Sequence, residues 1–228
     1  MLALFDRCPG KAPARRLLIL LPPAEATPED FFAQGFVDAV RQHGIDTDIL
    51  LAGVDYQHVM AKTVSAELAR QIQSYAQGTP YSEIWLAGIS LGAFNALGFA
   101  ATCDQALAGL HLMAPYPGTR DILREIHDAG GALKWVDSPQ CTDVDERQWW
   151  RWLARQAKTG RWDMPISLSL ATRDRFITGQ NLLAALLPEQ QVHCVDGAHD
   201  WAAWMTMWEH WLAHGPLTTP MSHPALAP

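Results

Sequence analysis

Charge is scarce in this chain, and long apolar runs are missing. Only 18% of its 228 residues are Asp, Glu, Lys or Arg, and the formal net charge is −7. With no excess of Lys and Arg to build a basic surface, nucleic acid is excluded as a partner. No stretch approaches the length of a membrane span. Arg15-Arg16 precedes the apolar run 17–21. That run falls short of the roughly 7–15 apolar residues of a secretory signal, so it reads as a buried strand. The four cysteines (Cys8, Cys103, Cys141, Cys194) contain no Cys-x-x-Cys pair. They suit neither a zinc site nor a disulfide framework, and a cytoplasmic setting is expected. No internal repeat is visible.

What the chain does have is apolar content, 49% of residues, enough for one sizeable core. Short apolar runs alternate with helical patterns. Strands are expected at 17–21, 48–51, 84–87, 107–113, 166–171 and 191–195. Helices are expected at 28–43, where Thr27 is the N-cap and Pro28 the first residue, and at 60–77, 91–102, 180–187 and 200–214. Such alternation predicts an α/β fold, a mostly parallel sheet of about six strands covered on both faces. Between Met113 and Ile166 the rhythm breaks. Helices near 119–129 and 144–158 make residues 115–164 a small helical cap over the sheet's C-terminal edge. Residues 1–214 then form one domain, and 215–228, with four prolines, a mobile tail.

Chemistry concentrates at Gly88-Ile89-Ser90-Leu91-Gly92. Ile84-Trp85-Leu86-Ala87 precedes it as a strand, and Leu91, Phe94 and Leu97 follow at helical spacing. A serine at a sharp strand-to-helix turn is held in a strained backbone with its hydroxyl exposed, and the flanking glycines allow close approach. A serine alcohol needs a base, and the base needs an acid to hold its tautomer. Asp174 follows the fifth expected strand and His199 the sixth, giving the chain order Ser, acid, His. His111 falls within a strand, and His210 and His214 within a helix. Asp196 is a rival acid, read instead as shaping the turn before His199. An oxyanion needs donors. The N–H of Leu91 is one; Pro22 and Pro23 have none, so Ala24 is the first available second donor.

With these residues, the chain resembles the α/β-hydrolase superfamily of serine hydrolases. The likeness rests on Gly88-Ile89-Ser90-Leu91-Gly92, Asp174 and Gly197-Ala198-His199-Asp200-Trp201, and spans about 15–214. It implies Ser90 as nucleophile, His199 as general acid and base, Asp174 as its orienting acid, a covalent acyl-enzyme, and no metal or organic cofactor. Two departures stand out. Pro22-Pro23 occupies the place of a His-Gly pair, and the region before Leu17 is too short for the usual antiparallel strand pair.

A carboxylic-ester hydrolase acting on a small or medium acyl ester is expected. A thioesterase or a non-catalytic ligand-binding protein on the same fold are the alternatives. Trp135, Trp149, Trp150, Trp152 and Trp162 either line an acyl pocket or fill the cap's own core. Arg147, Arg151, Arg155 and Lys158 form either a phosphate-carrier stripe or a solvated helix face, with the balance of local charge favouring the latter. Trp201, Trp204, Trp208 and Trp211 form one stripe on the last helix, facing the sheet.

Overall fold

The computed structural model describes residues 2–10, 14–54, 56–79 and 81–218. A strand apolar on both faces has to be covered on both faces, and β2 (Arg16–Leu21) is buried along its whole length. It lies inside a seven-stranded sheet with β1 (Ala3–Asp6), β3 (Asp48–Ala52), β4 (Glu83–Ile89), β5 (Gly109–Met113), β6 (Ile166–Ala171) and β7 (Val192–Val195), in the order β1-β3-β2-β4-β5-β6-β7. All neighbours run parallel except β1, which pairs antiparallel with β3 from Ala3↔Ala52 to Asp6↔Ile49.

The expected count of about six therefore misses one strand. Four residues suffice for an edge strand, and Arg41 at the end of a neighbouring helix secures it by bonding the Asp6 carboxylate. Its short, half-buried sequence carries no strong alternation to announce it.

Side-chain parity divides the core. Leu17, Ile19, Leu86 and Leu112 face one side, with α4 (Val64–Ala76), α5 (Leu91–Thr102) and α9 (Ile177–Ala184). Leu18, Leu20, Ala87 and Met113 face the other, with α1 (Pro28–Ala33), α2 (Phe36–Gln42) and α10 (Trp201–His214).

One expected helix is split and another starts later than expected. Gly35, at φ 81, takes the left-handed conformation that ends α1 and starts α2, where sequence spacing suggested one helix over 28–43. The helix expected over 60–77 begins only at Val64, because Lys62, at φ 55, stands between α4 and a short preceding helix, α3 (Tyr56–Met60).

The 115–164 interval supplies α6 (Arg120–Asp128), α7 (Ala132–Trp135) and α8 (Arg147–Thr159). The starts of α6 and α8 are tied together, because the buried Glu146 carboxylate accepts the Thr119 N–H at 2.9 Å and hydroxyl at 2.6 Å. Trp150 Nε1–H donates to the Pro117 carbonyl at 3.0 Å. Trp135, Trp149 and Trp150 are buried in the same core as Leu97 and Phe99 of α5, so these indoles pack the layer over that helix. Three of the four cations on α8 are ion-paired: Arg147 with Glu125, Arg151 with Asp143 and Lys158 with Asp137. Arg155 is exposed.

The start of the expected mobile tail is packed down. Pro216–Thr218 forms a 3-10 turn, Leu217 is buried, and its carbonyl accepts from Arg16 Nη1 at 2.8 Å. Residues 219–228 lie outside the described residues.

Candidate active site

β4 delivers Ser90 to the sheet's C-terminal edge and α5 starts at the next residue. The turn between them is tight enough to put Ser90 at φ 52, ψ −112, a region that L-residues avoid. Two backbone bonds fix it. The Ser90 N–H donates to Met113 O at 2.9 Å, and the Ser90 carbonyl accepts from Tyr116 N–H at 3.0 Å.

The glycines answer to steric demand. A Cβ on Gly88 would lie 2.5 Å from the Gly92 carbonyl carbon, and one on Gly92 would lie 2.2 Å from Leu21 O. Gly92 thus lets the first turn of α5 rest directly on the backbone at the end of β2.

Three distant side chains meet at this turn. His199 Nε2 is 2.9 Å from Ser90 Oγ, and His199 Nδ1 is 2.7 Å from Asp174 Oδ2. Ionised, Asp174 is an acceptor only, so Nδ1 carries its proton and Nε2 accepts the serine O–H. The carboxylate is held on both oxygens: Oδ1 accepts the Phe176 N–H at 2.8 Å, and Oδ2 also accepts Gln180 Nε2–H at 3.1 Å. Burial would push the Asp174 carboxyl up. The bonds from His199, the Phe176 N–H and Gln180, with the nearby imidazole, outweigh it and leave the carboxyl below its usual value.

Gln180 escaped the sequence reading. It is fully buried and bridges Asp174 to the Pro115 carbonyl at 3.1 Å, tying the acid to the segment that follows β5. A glutamine inside an apolar helix start was its only sequence signal. Asp196 bonds Thr172 and Arg173, so it shapes the turn as expected.

The imidazole is clamped edge-on by Phe176 at 5.0 Å and Trp204 at 5.1 Å. Tyr116 packs on Phe176 at 5.4 Å and on Phe94 at 5.6 Å, forming an aromatic wall beside Ser90. Leu91 is the first residue of α5, where a backbone N–H has no partner within the helix. Ala24 sits in a turn closed by Ala26 N–H to Pro23 O at 3.3 Å, with Glu25 at φ 66. Ala24 and His199 line one cleft of about 410 Å³. Among the described residues no group of three His, Cys, Asp or Glu side chains is arranged to hold a metal ion. No helix of the described residues is long and apolar enough to cross a membrane.

Solved structures share this architecture across nearly the whole chain. The fluorophosphonate-binding serine hydrolase F of Staphylococcus aureus superposes with a TM-score of 0.65 at 12% identity, covering 96% of this chain and 98% of that one. The S-formylglutathione hydrolase of the same organism gives 0.60 at 13% identity, covering 89% and 81%. Est1E from Butyrivibrio proteoclasticus gives 0.59 at 14% identity, covering 92% and 89%. The chain has the α/β-hydrolase fold. No family model and no curated protein matches the sequence. Within the α/β-hydrolase fold, a strand-to-helix turn after a central strand and loops after two later strands converge at one sheet edge, as Ser90, Asp174 and His199 do here.

Proposed function

We propose that this protein is a serine hydrolase that cleaves a small or medium carboxylic ester through an acyl-enzyme. The observation that carries the reading is the continuous relay from Ser90 Oγ to His199 at 2.9 Å and on to Asp174 at 2.7 Å. His199 takes the Ser90 proton as Oγ attacks the carbonyl carbon, then returns it to the departing alcohol oxygen. Water repeats the sequence on the acyl-enzyme and releases the acid. Asp174 holds the imidazole in the required tautomer and stabilises the imidazolium. The N–H groups of Leu91 and Ala24 are the proposed oxyanion donors, strengthened at Leu91 by the positive end of the α5 dipole.

An ester is favoured over a carrier-bound thioester because most of the α8 cations are neutralised by carboxylates. The fold neighbours support hydrolase chemistry by the company they describe, including a fluorophosphonate-binding enzyme and a ferulic acid esterase. A fluorophosphonate probe is expected to label the wild type and to leave Ser90→Ala unlabelled. No labelling of native protein would favour a non-catalytic binding role. Rates on p-nitrophenyl esters against acyl-thioesters of equal chain length separate the two enzyme classes.

A further inference from the structure

The interface between α10 and the sheet changes character along its length. Near the C-terminal edge, the inward positions Met113, Ala171 and Val195 are buried and apolar. Two residues earlier on each strand, the same face carries His111, Ser169 and His193, with Ser169 directly opposite His193. Helix α10 covers this row with His210, Trp211 and His214, and a cavity of about 260 Å³ lies between them. It is smaller than the roughly 300–1,000 Å³ of pockets for drug-sized ligands, so its ligand is small. Four histidines line it, and no Asp, Glu, Lys or Arg.

Ser169 is 2% exposed, yet its hydroxyl opens onto the cavity without a partner among the described residues. His193 and His210 stack at 3.4 Å, and His214 stacks on His210 at 4.5 Å. Parallel rings do not turn their nitrogens onto one point, so these imidazoles form no metal-ligand set. Burial, then the neighbouring imidazoles, holds His193 and His210 below the ordinary histidine value. His111 donates from Nδ1 to Ser167 and stays neutral as part of the wall. The nearby carboxylates are turned to other work or to solvent. Glu209 bonds His43 at 2.7 Å, Glu83 bonds Arg16 and the Trp85 Nε1–H, and Glu189 is exposed in the turn before β7. Crowded imidazoles with no carboxylate among them lack a counter-charge, and an apolar-walled cavity beside them has room for one that carries a hydrocarbon tail.

We propose that this cavity binds a small apolar monocarboxylate. Its chain lies against the indoles of Trp85 and Trp211, and its oxygens accept from the Ser169 hydroxyl and the imidazoles of His193 and His210. One imidazole takes up a proton from solvent as the anion enters. The site lies toward the N-terminal ends of β5, β6 and β7, whereas Ser90 is at the C-terminal edge, so the inference stands apart from the hydrolase reading.

Hexanoate and its uncharged isostere hexanamide test it. Calorimetric titration of the wild type at pH 5.5, still above the carboxylate range, is expected to show one hexanoate bound roughly tenfold more tightly than hexanamide. Hexanoate affinity should fall roughly tenfold from pH 5.5 to pH 7.5, because binding takes up a proton. Heats in buffers of different ionisation enthalpy should report that proton. In NMR spectra, hexanoate should move the Cε1–H signals of His193 and His210 toward their protonated positions. His193→Gln and His210→Gln should each flatten the pH dependence. Ser169→Leu fills the cavity and should abolish binding; Ser169→Ala, which keeps the fold even if the larger side chain does not, should weaken it severalfold. Equal affinity for hexanamide, binding that pH does not change, or NMR shifts confined to His199 would overturn the inference. So would the absence of hexanoate binding at pH 5.5. Fluorophosphonate labelling of Ser90 is a separate measurement, so the hydrolase reading stands or falls independently of these outcomes.

Discussion

Two serine–histidine pairs among the described residues share the same separation, and they differ in everything else. Ser90 Oγ and His199 Nε2 are 2.9 Å apart at the C-terminal edge of the sheet; Ser167 Oγ and His111 Nδ1 are 2.9 Å apart between β6 and β5. At the first pair a carboxylate orients the imidazole and the serine sits on a strained turn. At the second the serine lies in a regular strand and donates to Leu110 O at 3.2 Å, so its oxygen accepts from His111 Nδ1–H. His111 Nε2 is buried with no partner among the described residues, and the ring stacks on Trp211 at 4.4 Å. Burial, then the charges of His210 and His193, push His111 down to about 3. A serine beside a histidine is therefore no catalytic site in itself. The backbone turn and the third, charged group separate the two pairs.

Breaking the first pair should have the largest effect. Ser90→Ala is expected to lower kcat on a p-nitrophenyl ester by about 10⁴- to 10⁶-fold, whereas Ser167→Ala should leave it within about twofold. Equal losses in both variants would dissolve the contrast. Asp174→Asn should cost about 10⁴-fold in kcat, because the amide can favour the wrong imidazole tautomer.

Gly92→Ala tests the turn itself. Its Cβ would meet Leu21 O at 2.2 Å, so either β2 or α5 must move, and kcat should fall about 100-fold with a lower Tm. Gln180→Leu removes the bridge between Asp174 and Pro115 O. A roughly tenfold loss in kcat is expected, with about 1–3 kcal/mol less stability by urea titration.

The smallest effect concerns the second pair and is read in stability alone. His111 is neutral in the folded protein down to about 3, while the unfolded histidine takes up a proton near its ordinary value of 6.5. Below that value the unfolded state binds more protons, so stability falls with decreasing pH by up to about 1.4 kcal/mol per unit, until the folded group titrates. His111→Phe removes this proton linkage. The stability difference between wild type and variant should therefore shift against the wild type from pH 7 to pH 5. A difference that stays constant over this range would show that His111 takes up its proton at the same pH in the fold as in the unfolded chain.

The elbow side of this contrast is legible in the sequence. The elbow at Ser90 stands out because a glycine-flanked serine between an apolar strand and an apolar helix is a local pattern. The parallel strands are legible for the same reason, since a strand buried on both faces must be apolar at nearly every position. β1 was missed because four residues gain strand structure only by pairing with β3, 43 or more positions away along the chain. The break at Gly35 was missed because apolar spacing continues across it while the backbone does not. Gln180 was missed because nothing in a helix start says that a carboxylate and a carbonyl lie on its buried side.

Sequence alone determined the order of chemical groups and the strand ends that carry them, because periodicity and turn chemistry act within a dozen residues. Tertiary structure decided which histidine meets which acid. Such meetings depend on how strands are ordered across the sheet. That order is set by burial summed over the whole core, and no short window of sequence contains it.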